Sequence, residues 1–233
     1  YGLVGSEMCI RDSYMELRRR LMTGHYQPGL QLKEQDLAAE FNLSRTPIRN
    51  ALIQLTEESL LVSSPNRGVF VAEWTVQDID EVFQLRRLLE AHGAGLAALR
   101  RSPQQLEEFK AICAQMQRSV AEPELNDSVV SRLQSENSKL HHAILQASKS
   151  PRLIAMCGAL TDMPIVIKAF FLYDRDQIQQ SIIQHEQIVR AIAAQSYDSA
   201  VEAMSIHLRS AYQIYRSKHS LNTCLLYTSD AAD

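Results

Sequence analysis

The stretch Phe41-Asn42-Leu43-Ser44-Arg45-Thr46-Pro47-Ile48-Arg49-Asn50-Ala51-Leu52-Ile53-Gln54-Leu55 decides how the first third of the chain folds. Asn42 tolerates the left-handed backbone of a helix end, so it closes the segment before it. Ser44 is a residue that can cap the next helix, and Pro47 falls in its first turn, where a missing N–H does no harm. Ile48, Ala51, Leu52 and Leu55 then recur at i, i+3, i+4 and i+7, the spacing of one buried helical stripe. At about 100° per residue, Thr46, Arg49 and Asn50 fall on the opposite side, with Arg45 beside them at the N-terminal end. An exposed polar face led by two arginines is what a helix in a DNA major groove requires. Ile53 lands on that face too, with no evident role there.

Working outward, the segment from Tyr14 to Thr23 has a helical pattern, with Leu17 and Leu21 on one face and Gly24 stopping it. Pro28-Gly29 marks a turn. Lys33 to Phe41 is a second short helix with Leu37, Ala38 and Phe41 inward. Downstream, Leu61-Val62-Ser63 and Val69-Phe70-Val71 flank Ser64-Pro65-Asn66-Arg67-Gly68, which predicts a hairpin. Three helices and a two-stranded wing over 14–74 spell a winged helix-turn-helix.

Beyond Trp74 every segment reads as helix: 76–101, 103–121, 125–148, 151–170, 176–195 and 197–219, separated by signals such as Ser102-Pro103, Glu122-Pro123, Ser150-Pro151 and Tyr173-Asp174. Six helices without a strand or an internal repeat predict a bundle over 75–219, so the chain is expected to be mainly α. Val4 to Ser13 and Cys224 to Asp233 resemble translated sequencing-adapter sequence, and residues 1–13 and 220–233 are expected to be non-native tails. That leaves Cys113 and Cys157 as meaningful cysteines, both in apolar helical surroundings that suit small buried thiols.

Composition sets the outer limits. A chain of 233 residues with 45% hydrophobic content suits a soluble protein of two modest domains. Its apolar runs fall far short of the ~20 residues a spanning helix needs, so no membrane partner is expected. Between Tyr14 and Ala72, seven Lys/Arg face six Asp/Glu, so DNA binding has to rest on where the arginines point rather than on bulk charge. Four cysteines without C-x-x-C spacing argue against a disulfide framework or a zinc knuckle, and a cytoplasmic location is expected.

Three histidines stand out in the helical region. Asn137 and His141 are four apart on one helix and share a face, while His185 and His207 lie on two successive helices that antiparallel packing could fold onto a common site. Three imidazoles and one oxygen donor suit zinc, nickel or manganese. His142, about 100° off that face, is expected to be structural or exposed. Taken singly, each histidine is more often a hydrogen-bonded core residue; only as a set do they suggest a ligand site.

The string Pro28-Gly29-Leu30-Gln31-Leu32, Leu37-Ala38, Phe41 to Arg49, Ala51-Leu52 and Leu55 closely resembles the winged helix of the GntR family of transcription regulators, over nearly all of 14–72. The resemblance implies that Ser44, Arg45, Thr46 and Arg49 contact DNA, through guanidinium forks on guanine or phosphate and hydroxyls at a helix N-terminus. It also implies that Arg67 and Gly68 of the wing reach the minor groove or backbone, and it places Gln35 where some relatives touch DNA. Asn50 stands where the family usually has Glu, and Ser59 where it usually has Gly.

From 76 to 217 the chain resembles the FCD domain of FadR-type GntR regulators, in its VanR-like six-helix form. Asn137, His141, His185 and His207 meet that domain's metal-ligand pattern, with Asn137, a neutral and weaker oxygen ligand, where many relatives have Asp. Arg86 sits where the family keeps an arginine for an anionic effector. The resemblance implies a homodimer reading an inverted repeat of double-stranded DNA, a small organic acid effector, a divalent metal with zinc first, and no enzymatic activity. Two alternatives stand beside it. One is a metal-dependent helical enzyme with an accessory winged helix, although no H-E-x-x-H occurs and Glu186 points away from His185. The other is a bundle that dimerises without a ligand.

Overall fold

The computed structural model describes residues 3–22, 24–161, 166 and 170–226. It divides into two compact units, the first closing at Thr75 and the second opening at Val76.

The first unit runs α1 (Leu3–Met22), β1 (Gln31–Leu32), α2 (Glu34–Glu40), α3 (Arg45–Glu57), β2 (Leu61–Ser64) and β3 (Gly68–Val71). Leu17 and Leu21 of α1 are fully buried, as are Ile48, Ala51 and Leu55 of α3, so the stripes read from periodicity form one core. α1 starts at Leu3, upstream of the expected start at Tyr14, because a nucleated helix extends at little cost through proline-free sequence. The strand order is β1-β3-β2, all antiparallel. β1 has only two residues, Gln31 opposite Phe70 and Leu32 opposite Val69, too short for alternation to reveal it. Asn42 adopts φ 52° as its position requires, and the wing turns through Asn66 and Gly68, whose φ of 99° suits glycine alone.

The second unit holds α4 (Val76–Arg100), α5 (Pro103–Val120), α6 (Asp127–Ala147), α7 (Pro151–Thr161), α8 (Arg175–Ala193) and α9 (Tyr197–Leu226). The breaks are chemically set. Ser102 and Asp174 each form a reciprocal capping box, with Gln105 and Gln177, and Asn126 caps α6. The helix expected over 151–170 is seen to Thr161; residues 162–165 and 167–169 lie outside the described residues. Phe109, Leu133, Leu140, Ile144 and Ile178 are under 2% exposed and form the bundle core, each burial contributing about 1.5–3 kcal/mol.

α4 lies closely against α9 because Gly95 has no side chain. A Cβ there would stand 2.5 Å from the Tyr197 ring. This close crossing brings Glu90, on the α4 face directed into the bundle, towards the level of His207 on α9.

Candidate DNA interface and metal centre

In the first unit Gln35, Ser44, Arg45, Thr46, Arg49, Arg67 and Gly68 are all exposed. Ser44 occupies the N-cap position of α3 in extended backbone, yet its side chain makes no capping bond, a correction to its expected capping role. Its hydroxyl therefore stays available at a helix N-terminus, where amide hydrogens favour an anion. The Arg67 guanidinium lies 5.7 Å from the centroid of the Phe70 ring, and the Gln31 side chain donates to the Arg67 carbonyl, so β1 steadies the wing.

The two arginines of α3 share a partner that sequence reasoning missed. Arg49 Nε and Nη2 donate to the two Glu34 carboxylate oxygens at 2.7 Å each, and Arg45 Nη2 reaches Glu34 Oε2 at 3.2 Å. Arg49 above all holds the Glu34 carboxyl below the usual carboxylate range. This side-on grip leaves Nη1 and the outer N–H of Nη2 uncommitted, the end of the guanidinium that forks onto guanine. The only hint in the sequence was Glu34's place in the first turn of α2.

In the second unit α6, α8 and α9 bring His141, His185 and His207 together, all buried. Their Nε2 atoms form a triangle: 3.2 Å from His141 to His207, 3.3 Å from His185 to His141 and 3.1 Å from His185 to His207. Ligand nitrogens about 2.0–2.1 Å from one ion stand roughly 2.9–3.4 Å apart at octahedral or tetrahedral angles, so this spacing fits a divalent cation.

Proton positions strengthen the fit. Glu90 Oε2 lies 2.5 Å from His141 Nδ1, and a carboxylate only accepts, so His141 carries its proton on Nδ1. His207 Nδ1 faces Gln184 Oε1 at 3.3 Å, and Gln184 donates to Ser210 Oγ at 3.0 Å, which sets the amide's orientation and puts that proton on Nδ1 too. With both protons on Nδ1, the Nε2 lone pairs of His141 and His207 face each other; a proton on His185 Nε2, 3.3 and 3.1 Å away, or a cation in the triangle relieves them. Burial, and then its histidine neighbours, push His185 and His207 well below the ordinary imidazole range, so both offer neutral nitrogen. His185 Nδ1 is a buried atom with no partner among the described residues.

Glu90 is a second residue of the candidate sites that sequence reasoning missed. Arg86, buried and one turn earlier on α4, donates Nε to Glu90 Oε1 at 2.6 Å. Burial alone would raise the Glu90 carboxyl, but Arg86 and His141 outweigh it and hold it at about 2. The i, i+4 spacing was legible; the reach of Glu90 across to α6 was not. Burial raises the Cys157 thiol to about 11 and raises the Tyr173 phenol further, and both sense Arg86. Asn137 sits one turn before His141 on α6, half-buried, with no side-chain hydrogen bond among the described residues. His142 pairs with Thr161 instead, at 3.3 Å. Glu186 accepts from Gln117 at 3.1 Å, apart from the imidazoles.

A winged helix presenting two arginines, in one chain with a helical bundle that gathers three imidazoles, defines a DNA-binding transcription regulator with a separate helical domain. The chain belongs to the GntR family: the family described as bacterial regulatory proteins, gntR family, matches residues 11–71, and the FCD domain matches residues 81–210. It is 23% identical over 195 residues to an HTH-type transcriptional regulator, YdhC, of Bacillus subtilis, covering 83% of this chain and 85% of that protein. It is 24% identical to the transcriptional repressor GlaR of Escherichia coli, covering 84% and 91%. The solved structure of E. coli McbR/YncC shares the fold, with a TM-score of 0.68 at 21% identity over 91% of this chain and 98% of that one. These relatives are transcription regulators, which favours that reading over the enzymatic alternative.

Proposed function

We propose that this regulator binds an inverted-repeat operator as a homodimer and that a small carboxylate, taken up at a metal centre in the helical domain, changes its operator affinity. Arg49 and Arg45 read base edges, Ser44, Thr46 and Gln35 hold phosphate, and Arg67 and Gly68 place the wing. His141, His185 and His207 would hold the metal, with Asn137 as a fourth donor, and zinc is the first expectation for this largely nitrogen set, beside nickel and manganese. The metal, when bound, supplies a positive centre for an anion. Arg86 commits Nε to Glu90 and leaves its Nη groups for the same anion. Leu85 and Leu88 of α4, 47% and 64% exposed, offer the kind of apolar edge a second copy covers. The expected location is the cytoplasm, where the operator is.

The observation that carries the reading is the Nε2 triangle backed by Glu90 and Gln184. The experiment is an operator-binding titration of the purified full chain with a panel of small organic acids, with and without chelator. At least one acid is expected to shift operator affinity about fivefold or more, the lower range of allosteric coupling, and chelator to abolish the shift. An acid response that survives both chelation and Arg86→Ala removes the proposed site. Since the ligand moves the equilibrium only by its preference for one domain arrangement, the same acid must bind less tightly, or more tightly, when operator is present.

A further inference from the structure

The face that α3 turns away from its own core is not centred on its arginines. Ile48, Ala51, Leu52 and Leu55 are at most 3% exposed and define the buried stripe. At about 100° per residue, the direction opposite that stripe falls among Thr46, Asn50 and Ile53, which stand at i, i+4 and i+7. Arg45 and Arg49 lie to one side of this line, and there they meet Glu34 of α2. Gln54 lies to the other side, where it donates to Glu58 at 3.4 Å. Asn50 is exposed, and its amide makes no hydrogen bond among the described residues. Ile53 is 53% exposed, whereas Ile48, the same residue type on the same helix, is fully buried. A lone exposed isoleucine is ordinary on a protein surface. Here it is aligned with an uncommitted amide, on the outermost line of the helix whose arginines are proposed above to read DNA.

We infer that Asn50 and Ile53 together read one A·T base pair beside the guanine that Arg49 reads, and so help to determine which operator the protein selects. The inference rests on the reading of α3 as the base-contacting helix and adds a named element to the sequence it recognises. In the major groove an A·T pair offers both matching groups: adenine presents N7 as acceptor and N6–H as donor, and thymine presents a methyl group. Asn50 Nδ2 donates to N7 while Oδ1 accepts from N6–H. Guanine places an acceptor, O6, where Oδ1 needs a donor, and is refused. Side chains three apart on a helix have Cβ atoms about 5–6 Å apart, so Asn50 and Ile53 can meet the two bases of a single pair. Packing the thymine methyl against Ile53 removes apolar surface from water on both partners and strands no polar group. Both contacts are uncharged and release no counterions, so the discrimination they bring does not fade with salt as phosphate contacts do.

The test begins with duplexes that the full-length chain enriches from a random-sequence pool, followed by binding titrations on the enriched sequence. An adenine beside the guanine is expected, and replacing that A·T pair by G·C is expected to weaken binding about tenfold or more. Replacing its thymine by uracil removes only the methyl group and is expected to weaken binding about threefold. Ile53→Ala is expected to bind the thymine and uracil duplexes equally. Asn50→Asp keeps the shape at an exposed position but has two acceptors and no donor. It is expected to move the preference at that pair from adenine to cytosine, whose N4 amino group donates. An adenine preference that survives Asn50→Asp, or a uracil duplex that the original chain binds as tightly as its thymine parent, overturns the inference and leaves the Arg49 contact standing. A pool from which no sequence is enriched overturns base reading by α3 altogether. The uracil comparison uses the original chain, so it decides the matter even if a variant does not fold.

Discussion

Two arginine–glutamate pairs, one in each unit, have nearly the same closest approach and opposite surroundings. Arg49 meets Glu34 at 2.7 Å with side chains 58% and 25% exposed; Arg86 meets Glu90 at 2.6 Å with side chains 6% and 1% exposed. The outer pair is hydrated and screened, so it holds a side chain in place while remaining exchangeable for another anion such as phosphate. The inner pair is fixed, since separating it strands a charge in the interior. On the proposed reading, the same chemistry presents a DNA-facing fork in one unit and orients a metal-facing imidazole in the other.

Breaking the inner pair has the largest expected effect. Glu90→Gln leaves Arg86 without its counter-charge and His141 without its anionic acceptor, and a loss of about 3–5 kcal/mol in urea unfolding is expected. A loss below about 1 kcal/mol means the pair is solvated and the contrast between the two units is mistaken. Arg49→Ala comes next. It is expected to weaken specific operator binding roughly 10- to 100-fold in a gel-shift titration, with unfolding stability unchanged. Unchanged operator affinity removes Arg49 from base recognition.

Glu34→Gln sharpens the comparison with a smaller change. Removing the brace lowers specific affinity, and removing a negative charge from the DNA-facing side raises non-specific affinity. The ratio of the two is expected to fall about threefold at low salt, as suits a screened pair. A ratio that rises identifies Glu34 as an obstacle to the fork rather than its support. Ser59→Gly is the smallest. Ser59 holds φ 58°, a conformation glycine adopts freely, so the substitution is expected to stabilise the winged helix by about 0.5–1 kcal/mol in thermal unfolding.

The outer unit was the more legible in sequence. Ile48, Ala51, Leu52 and Leu55 repeat at helical spacing, and all are at most 3% exposed. Asn42 marked a left-handed turn and adopts one. The three histidines were legible as a set through spacing and resemblance, and the fold brings them within 4.8 Å of one another. What escaped were the acids. Glu34 braces arginines on a neighbouring helix, and Glu90 reaches across to His141, 51 residues away. A carboxylate carries no periodic signature that names its partner, so such pairs emerge only once helices are packed. Gln184 escaped for the same reason, its role depending on which way α8 faces α9.

The most direct measurement is the metal content of the purified full-length chain, compared with His141→Ala, His185→Ala and His207→Ala by elemental analysis alongside circular dichroism. About one divalent ion per chain is expected, and each substitution is expected to lower it sharply while helix content holds. A metal-free protein, or one that keeps its ion after losing any of the three imidazoles, contradicts the assignment of the buried triangle as a metal centre.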